Sequence, residues 1–195
     1  LFAEEEDILR KYYGRFGGYW RFPKMLDFCY LVNPYFSSSK IIDEMQANFR
    51  TLIAEYPSGM KVNSLLAGRN FDVHAENIVL GNGAAELIKA YMSQLTGAVG
   101  FVRPTFEEYP NRAITERIVK YVPGNADFAY TAQDIKTYFA DKAISTLLLI
   151  NPDNPSGNFI PTTDLLPLIE WARKRGITMI VDESFVDFTD DFAYN

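Results

Sequence analysis

The chain has 195 residues, 48% of them hydrophobic, enough for one domain of ordinary size or a large part of a bigger protein. Its 19 Lys and Arg against 25 Asp and Glu give a formal net charge of −6, which argues against general nucleic-acid binding. A single cysteine, Cys29, rules out an intrachain disulfide, and no apolar run approaches the ~20 residues that span a bilayer.

Leu1 to Arg10 is acidic and lacks the basic and apolar regions of a signal peptide. With the lone cysteine this favours a cytoplasmic protein, and the absence of an initiating Met suggests a piece cut from a longer chain. Ala3 to Tyr13 reads as a short helix stopped at Gly14. Leu26 to Val32 reads as a strand or extended arm ended by Asn33-Pro34. Ser37-Ser38-Ser39 offers caps for a helix from Lys40 to about Glu55, and Tyr56-Pro57-Ser58-Gly59 is a turn.

From there helices and strands alternate. A helix is expected through Val62 to Asn70, a strand at Asn77 to Leu80, a tight turn at Gly81-Asn82-Gly83, and a helix from Ala84 to Leu95. Ala98 to Arg103 and Arg117 to Val122 read as strands, with a short helical turn over Phe106 to Ala113 between them. Asp134 to Ala140 reads as helix, and Ile144 to Ile150 as a strand with no polar alternation, as buried parallel strands tend to be. Thr162-Thr163-Asp164 caps a helix running to Arg175 with Gly176 at its stop, and Ile177 to Val181 is the next strand. This alternation predicts a three-layer α/β/α fold with a mainly parallel sheet. The expected organisation is an N-terminal arm with part of a small domain over residues 1–50, then an incomplete large domain over 51–195.

Four segments carry possible chemistry. Gly81-Asn82-Gly83-Ala84-Ala85-Glu86 joins strand to helix, where small residues and a helix N-terminus suit an anion; an ordinary tight turn also favours glycine. It lacks the Gly-Lys-Ser/Thr of a P-loop and the last glycine of a dinucleotide fingerprint. In Pro104-Thr105-Phe106-Glu107-Glu108-Tyr109 the two rings either pack in the core or meet a flat ligand. Asn151-Pro152-Asp153-Asn154-Pro155-Ser156-Gly157 is more restricted than a plain turn needs, with two prolines flanking an amide that both donates and accepts. Asp182 follows an apolar strand, where a carboxylate suits a cationic heterocycle or a metal. His74 is the only histidine, far away in sequence and read as a surface or helix-end residue, so no metal site is expected. Cys29 reads as a packing residue.

Taken in order, G-N-G-A-A-E, P-T-F-x-x-Y, N-P-D-N-P-S-G and V-D-E-S-F resemble the pyridoxal-phosphate enzymes of the aspartate aminotransferase fold. The resemblance covers roughly residues 25–195 and is greatest to the histidinol-phosphate aminotransferase and threonine-phosphate decarboxylase branch. It implies pyridoxal 5′-phosphate as cofactor. Its phosphate would lie on the amides of Gly83, Ala84 and Ala85, with Phe106 stacked on the ring. Asn154 would bond the 3′ oxygen and Asp182 would pair with the ring nitrogen, keeping it protonated as an electron sink. Tyr109 matches a position that orients the aspartate. Asn33 and Tyr35 match an arm over the substrate. Tyr56 matches a tyrosine that reaches the cofactor phosphate of a neighbouring subunit, which implies a homodimer with shared sites.

Two departures qualify the resemblance. Phe185 stands where many relatives carry a tyrosine that also bonds the 3′ oxygen, a replacement that nudges the resemblance toward the decarboxylase-like branch. The Schiff-base lysine of the family, in a Ser-x-Ser-Lys context, is not among the thirteen residues after Asp182, so this chain alone is expected to be inactive. The implied activity is amino-group transfer between an amino acid, possibly phosphorylated, and a 2-oxo acid. The alternatives are a decarboxylase of the threonine-phosphate type and a non-catalytic homologue; a nucleotide-sugar or other phosphate-binding α/β protein is a further reading. No nucleic-acid or membrane partner is expected.

Overall fold

Alternating strand and helix signals become parallel strands only when each connection crosses over the sheet, and four strands here do so. The structure is a computed structural model that describes Lys24, Leu26 and residues 35–190. The helix expected over 3–13, the arm after Leu26, Cys29 and Asn33 lie outside the described residues. The chain divides into two compact units, Leu1–Gly59 and Met60–Asn195.

In the first unit, helix α1 spans Ser39–Ala54. Ser38 caps it by accepting from the Ile41 N–H at 3.4 Å, as the serine run predicted. None of its residues is buried, and Ile42, Met45 and Phe49 remain exposed along one face.

The second unit begins with α2 (Met60–Phe71) and continues with α3 (Ala84–Met92), β1 (Val99–Val102), α4 (Glu108–Arg112) and β2 (Ile118–Tyr121). It ends with α5 (Ala132–Phe139), β3 (Thr146–Ile150), α6 (Thr162–Lys174) and β4 (Thr178–Asp182). The sheet order is β2-β1-β3-β4, every pair parallel. Alternation along β3 builds the two outer layers. Leu147 and Leu149 pack with Ile135, Phe139, Leu165 and Leu168 from α5 and α6. Leu148 and Ile150 pack with Ile88, Met92 and Tyr109 from α3 and α4. Both faces of β3 are covered, which is why its sequence is apolar without alternation. This is the predicted α/β/α architecture.

Differences from the expected elements have local causes. Asn77 to Leu80 does not form a strand: a 3-10 turn occupies Ala75–Asn77, and Val79 is 76% exposed with no described strand beside it. Ile144 stays out of β3 because its N–H bonds the Lys142 carbonyl in a turn, so the ladder starts at Thr146. Thr162 to Asp164 form the first turn of α6 rather than its cap. Pro161 precedes the helix, and its carbonyl accepts from Asp164 and Leu165, both at 2.9 Å. β4 extends one residue further than expected, to include Asp182.

The start of α5 was not legible as a cap in the sequence reading. Thr131 accepts from the Asp134 N–H at 3.2 Å, and Asp134 accepts from the Thr131 N–H at 2.9 Å, a reciprocal capping box. The Thr131 hydroxyl and amide hold the Asp134 carboxyl below its ordinary value. Thr131→Ala is expected to cost about 1 kcal/mol, measured as a lower denaturant midpoint at unchanged slope. The sign follows from the lowered folded-state value. The carboxylate's share of the stability is present above the ordinary carboxyl range and lost as pH falls through that value, so the variant's penalty should shrink in acid.

Candidate functional site

Parallel strands put all their carboxyl ends on one edge, and polar loop residues gather there. Ile150 and Asp182 are register partners, and the Asn151 N–H donates to the Asp182 carbonyl at 2.8 Å as the last rung. The Asp182 side chain thus leaves the sheet beside the start of the Asn151 loop.

Both carboxylate oxygens of Asp182 are engaged. Oδ2 accepts from the Tyr109 hydroxyl at 2.6 Å. Oδ1 accepts from the Ser184 N–H at 2.9 Å and the Ser184 hydroxyl at 2.5 Å, an Asx turn. Tyr109 is buried, with its ring edge-on to Phe106 at 6.4 Å and 79°. Burial, then the hydrogen bond to Asp182, then its charge raise the Tyr109 pKa far above the ordinary phenol value. The phenol therefore stays a neutral donor. Three donors fix the carboxylate's rotation and leave it acceptor capacity for one more.

The loop after β3 is rigid for a different reason. Asn151 is 1% exposed; its amide donates to the Ile160 carbonyl at 2.8 Å and its oxygen accepts from the Ile160 N–H at 2.8 Å. The Gly157 N–H closes the turn onto the Asp153 carbonyl at 2.9 Å, with Gly157 at φ 74°, a left-handed conformation that favours glycine. Asn154 sits inside this clamp, half-buried, and no side-chain hydrogen bond joins it to the described residues.

The Gly81-Asn82-Gly83 loop leads into α3. Gly83 is the N-cap at φ 91° and supplies no side-chain cap, so the first-turn amides that follow it lack a side-chain acceptor there. The Glu86 carboxylate accepts from the Asn82 N–H. A Cβ at Gly83 would meet nothing within 4 Å, so the position is held by backbone conformation and not by crowding.

A cleft of about 600 Å³, within the size range of small-molecule sites, runs between α3 and β4. Ala84, Tyr109, Ile180, Asp182 and Ser184 are on its wall. Phe106, Asn154, Gly83 and Ala85 are not among its lining residues. Phe106 is 38% exposed, so its ring retains open surface. Tyr35 and Tyr56, in the first unit, are exposed, Tyr56 completely. His74 is exposed at the start of the 3-10 turn. Among the described residues no cluster of His, Cys, Asp and Glu could hold a metal, and no helix is long and apolar enough to cross a membrane.

Sequence reading missed Ser184, Asn151 and the partners of Asp153. The Ser184 signal was available, since Asp-x-Ser is the pattern of an Asx turn. The Asn151 amide pairs with a backbone nine residues on, and no local pattern announces that.

The sequence pattern of the family described as aminotransferase class I and II matches residues 40–194. The chain is 29% identical to CMP-5′-(3-aminopropyl)phosphonate synthase of Streptomyces rubellomurinus over 95% of this chain and 28% of that protein. It is 30% identical to the L-serine phosphate decarboxylase of Sulfurospirillum multivorans over 84% of this chain and 43% of that protein. A solved decarboxylase structure from Sulfurospirillum multivorans superposes with a TM-score of 0.76 at 27% identity, covering 91% of this chain and 48% of that one. Other relatives are histidinol-phosphate aminotransferases, and pyridoxal-phosphate-bound proteins share the fold. The chain spans less than half the length of these first relatives.

Proposed function

The chain belongs to the class I and II aminotransferase family, and from that premise we propose that it forms the cofactor-cradling part of a pyridoxal-phosphate enzyme that moves an amino group between an amino acid and a 2-oxo acid. The observation that carries this reading is the Asp182 carboxylate, held at a strand end by Tyr109 and Ser184 with acceptor capacity left over. A carboxylate so fixed fits the nitrogen of a pyridine ring. The uncapped N-terminus of α3, with Gly83, Ala84 and Ala85 at its start, fits a phosphate. The uncommitted amide of Asn154 fits a phenolic oxygen.

Bound pyridoxal phosphate supplies an electron sink for the substrate's α-carbon. The residues here do the holding. Asp182 would hold a proton on the ring nitrogen, Tyr109 and Ser184 keep Asp182 from rotating, and Asn154 would hydrogen-bond the phenolic oxygen. Phe106 would offer an aromatic face to the ring. The resemblance gives Asn33 and Tyr35 a role toward the substrate. Tyr56 reaches the phosphate of a second copy of the chain, so the working unit is a homodimer with residues 1–50 as its arm and 51–195 as its cofactor domain.

Decarboxylation is the second reading, favoured by the serine phosphate decarboxylase among the relatives and by phenylalanine at position 185. Both reactions use the same ring and the same aspartate. They would differ in which bond of the substrate's α-carbon is broken. The full-length protein should carry a visible absorbance band removed by borohydride, and product analysis with phosphorylated and plain amino acids separates released carbon dioxide from a new 2-oxo acid. A full-length protein that takes up no pyridoxal phosphate contradicts both readings, and leaves a non-catalytic homologue.

Tyr109→Phe removes one charge-assisted hydrogen bond from Asp182. It is expected to lower kcat about tenfold while the protein stays folded, as steady-state kinetics beside a thermal melt would register.

A further inference from the structure

Asp153 is 5% exposed, a charged side chain inside the protein that the proposed chemistry does not touch. Its Oδ2 accepts from the Ser156 hydroxyl and from the Ser156 N–H at 3.3 Å. The phenol of Tyr130, itself 6% exposed, is close enough to this carboxylate for each group to act on the other's titration. Tyr130 comes from the connection between β2 and α5, not from this loop. A second tie runs alongside: the Asn158 side chain accepts from the Tyr130 N–H at 3.2 Å and donates to the Tyr130 carbonyl at 3.0 Å. The Asp153 N–H donates to the Asn158 carbonyl at 2.8 Å, so the loop's two limbs are joined as well.

The geometry points to Asp153, with Tyr130, as a positioning residue that aims the Asn154 amide at the cofactor's phenolic oxygen. Asn154 is the residue next to Asp153 and lies inside the loop that Asp153, Ser156 and Gly157 close. Its own side chain has no hydrogen bond among the described residues to keep it in one rotamer. Its orientation therefore depends on the backbone beneath it, and a displaced donor loses much of its effect even when it is still present. Burial raises the Asp153 carboxyl above its ordinary value, while its bonds from Ser156 and the nearby Tyr130 phenol pull the other way. A buried carboxylate kept at such a cost to solvation is a poor device for stability alone.

This inference rests on the reading of Asn154 given above, and the test separates the two. Pyridoxal 5′-phosphate affinity and the absorbance of the bound cofactor are measured for the full-length protein and for Asn154→Ala, Asp153→Ala, Asp153→Asn, Tyr130→Phe and the Asp153→Ala/Asn154→Ala double variant. Asp153→Ala is expected to weaken binding about tenfold, and the double variant to be no weaker than Asn154→Ala by more than about twofold, because one residue acts through the other. Asp153→Asn keeps an acceptor for Ser156 and should restore affinity to within about threefold of wild type. Tyr130→Phe, a conservative change, carries the test if Asp153→Ala fails to fold, and its loss should likewise vanish in the Asn154→Ala background. Losses that multiply, or an Asp153→Asn no better than Asp153→Ala, overturn the positioning role while leaving Asn154 as a cofactor contact. Unchanged affinity and absorbance in Asn154→Ala overturn both.

Discussion

Asp182→Ala in the full-length protein is expected to lower turnover about a hundred- to a thousandfold, the range seen when one preorganised electrostatic group is removed from an active site. The size follows from what Asp182 is proposed to do. A proton on the ring nitrogen is what lets the ring accept electrons, and the carboxylate is the group that holds it there. Alanine also strands the Tyr109 hydroxyl, whose burial leaves it without that acceptor, so part of any loss reflects packing and hydrogen bonding. Asp182→Asn separates the two effects. The amide keeps the shape and an oxygen for Tyr109 or Ser184 but lacks the charge, so most of the kinetic loss should persist while the thermal midpoint recovers. Full activity in Asp182→Asn means the charge is not used.

Asn151→Ala is expected to cost about 2–6 kcal/mol of stability, because it leaves both the Ile160 N–H and its carbonyl unpaired inside the protein at about 1–3 kcal/mol each. The two 2.8 Å bonds tie the end of β3 to the segment that leads into α6, so the effect should reach the loop between them. Hydrogen exchange across residues 152–160 should rise well beyond that of the β1 and β3 ladders. Asn151→Asp keeps an acceptor for the Ile160 N–H but sets a buried carboxylate against the Ile160 carbonyl, so at neutral pH it should be at least as destabilising as alanine. A variant with wild-type denaturant midpoint and unchanged exchange shows that the loop is held from elsewhere.

The layered α/β architecture was legible because periodicity reports burial directly. Ile144 to Ile150 has no polar alternation because helices cover both faces of β3. What periodicity does not report is partners distant in sequence. Asn77 to Leu80 has a strand's composition, yet a strand also needs a neighbour, and none of the described strands lies beside it. The same limit shaped the site. Asp182 and Asn154 stood out because a carboxylate at a strand end and an amide between two prolines are local oddities. Tyr109 was found through the resemblance, since nothing local ties it to a carboxylate 73 positions away. Asp153 was not singled out, because its burial and its neighbour Tyr130, which comes from another loop, leave no local mark. Residues proposed to touch a ligand left a mark in the sequence, whereas residues that hold them in place mostly did not.

The central claim is that Asp182 holds a proton on the nitrogen of a bound pyridine ring. Nitrogen-15 NMR of the full-length protein loaded with ring-labelled pyridoxal 5′-phosphate tests it most directly. The account predicts a protonated ring nitrogen at neutral pH in the wild type and a deprotonated one in Asp182→Ala. Saturable binding with the same deprotonated signal in both proteins contradicts it, as does a wild type that binds no cofactor.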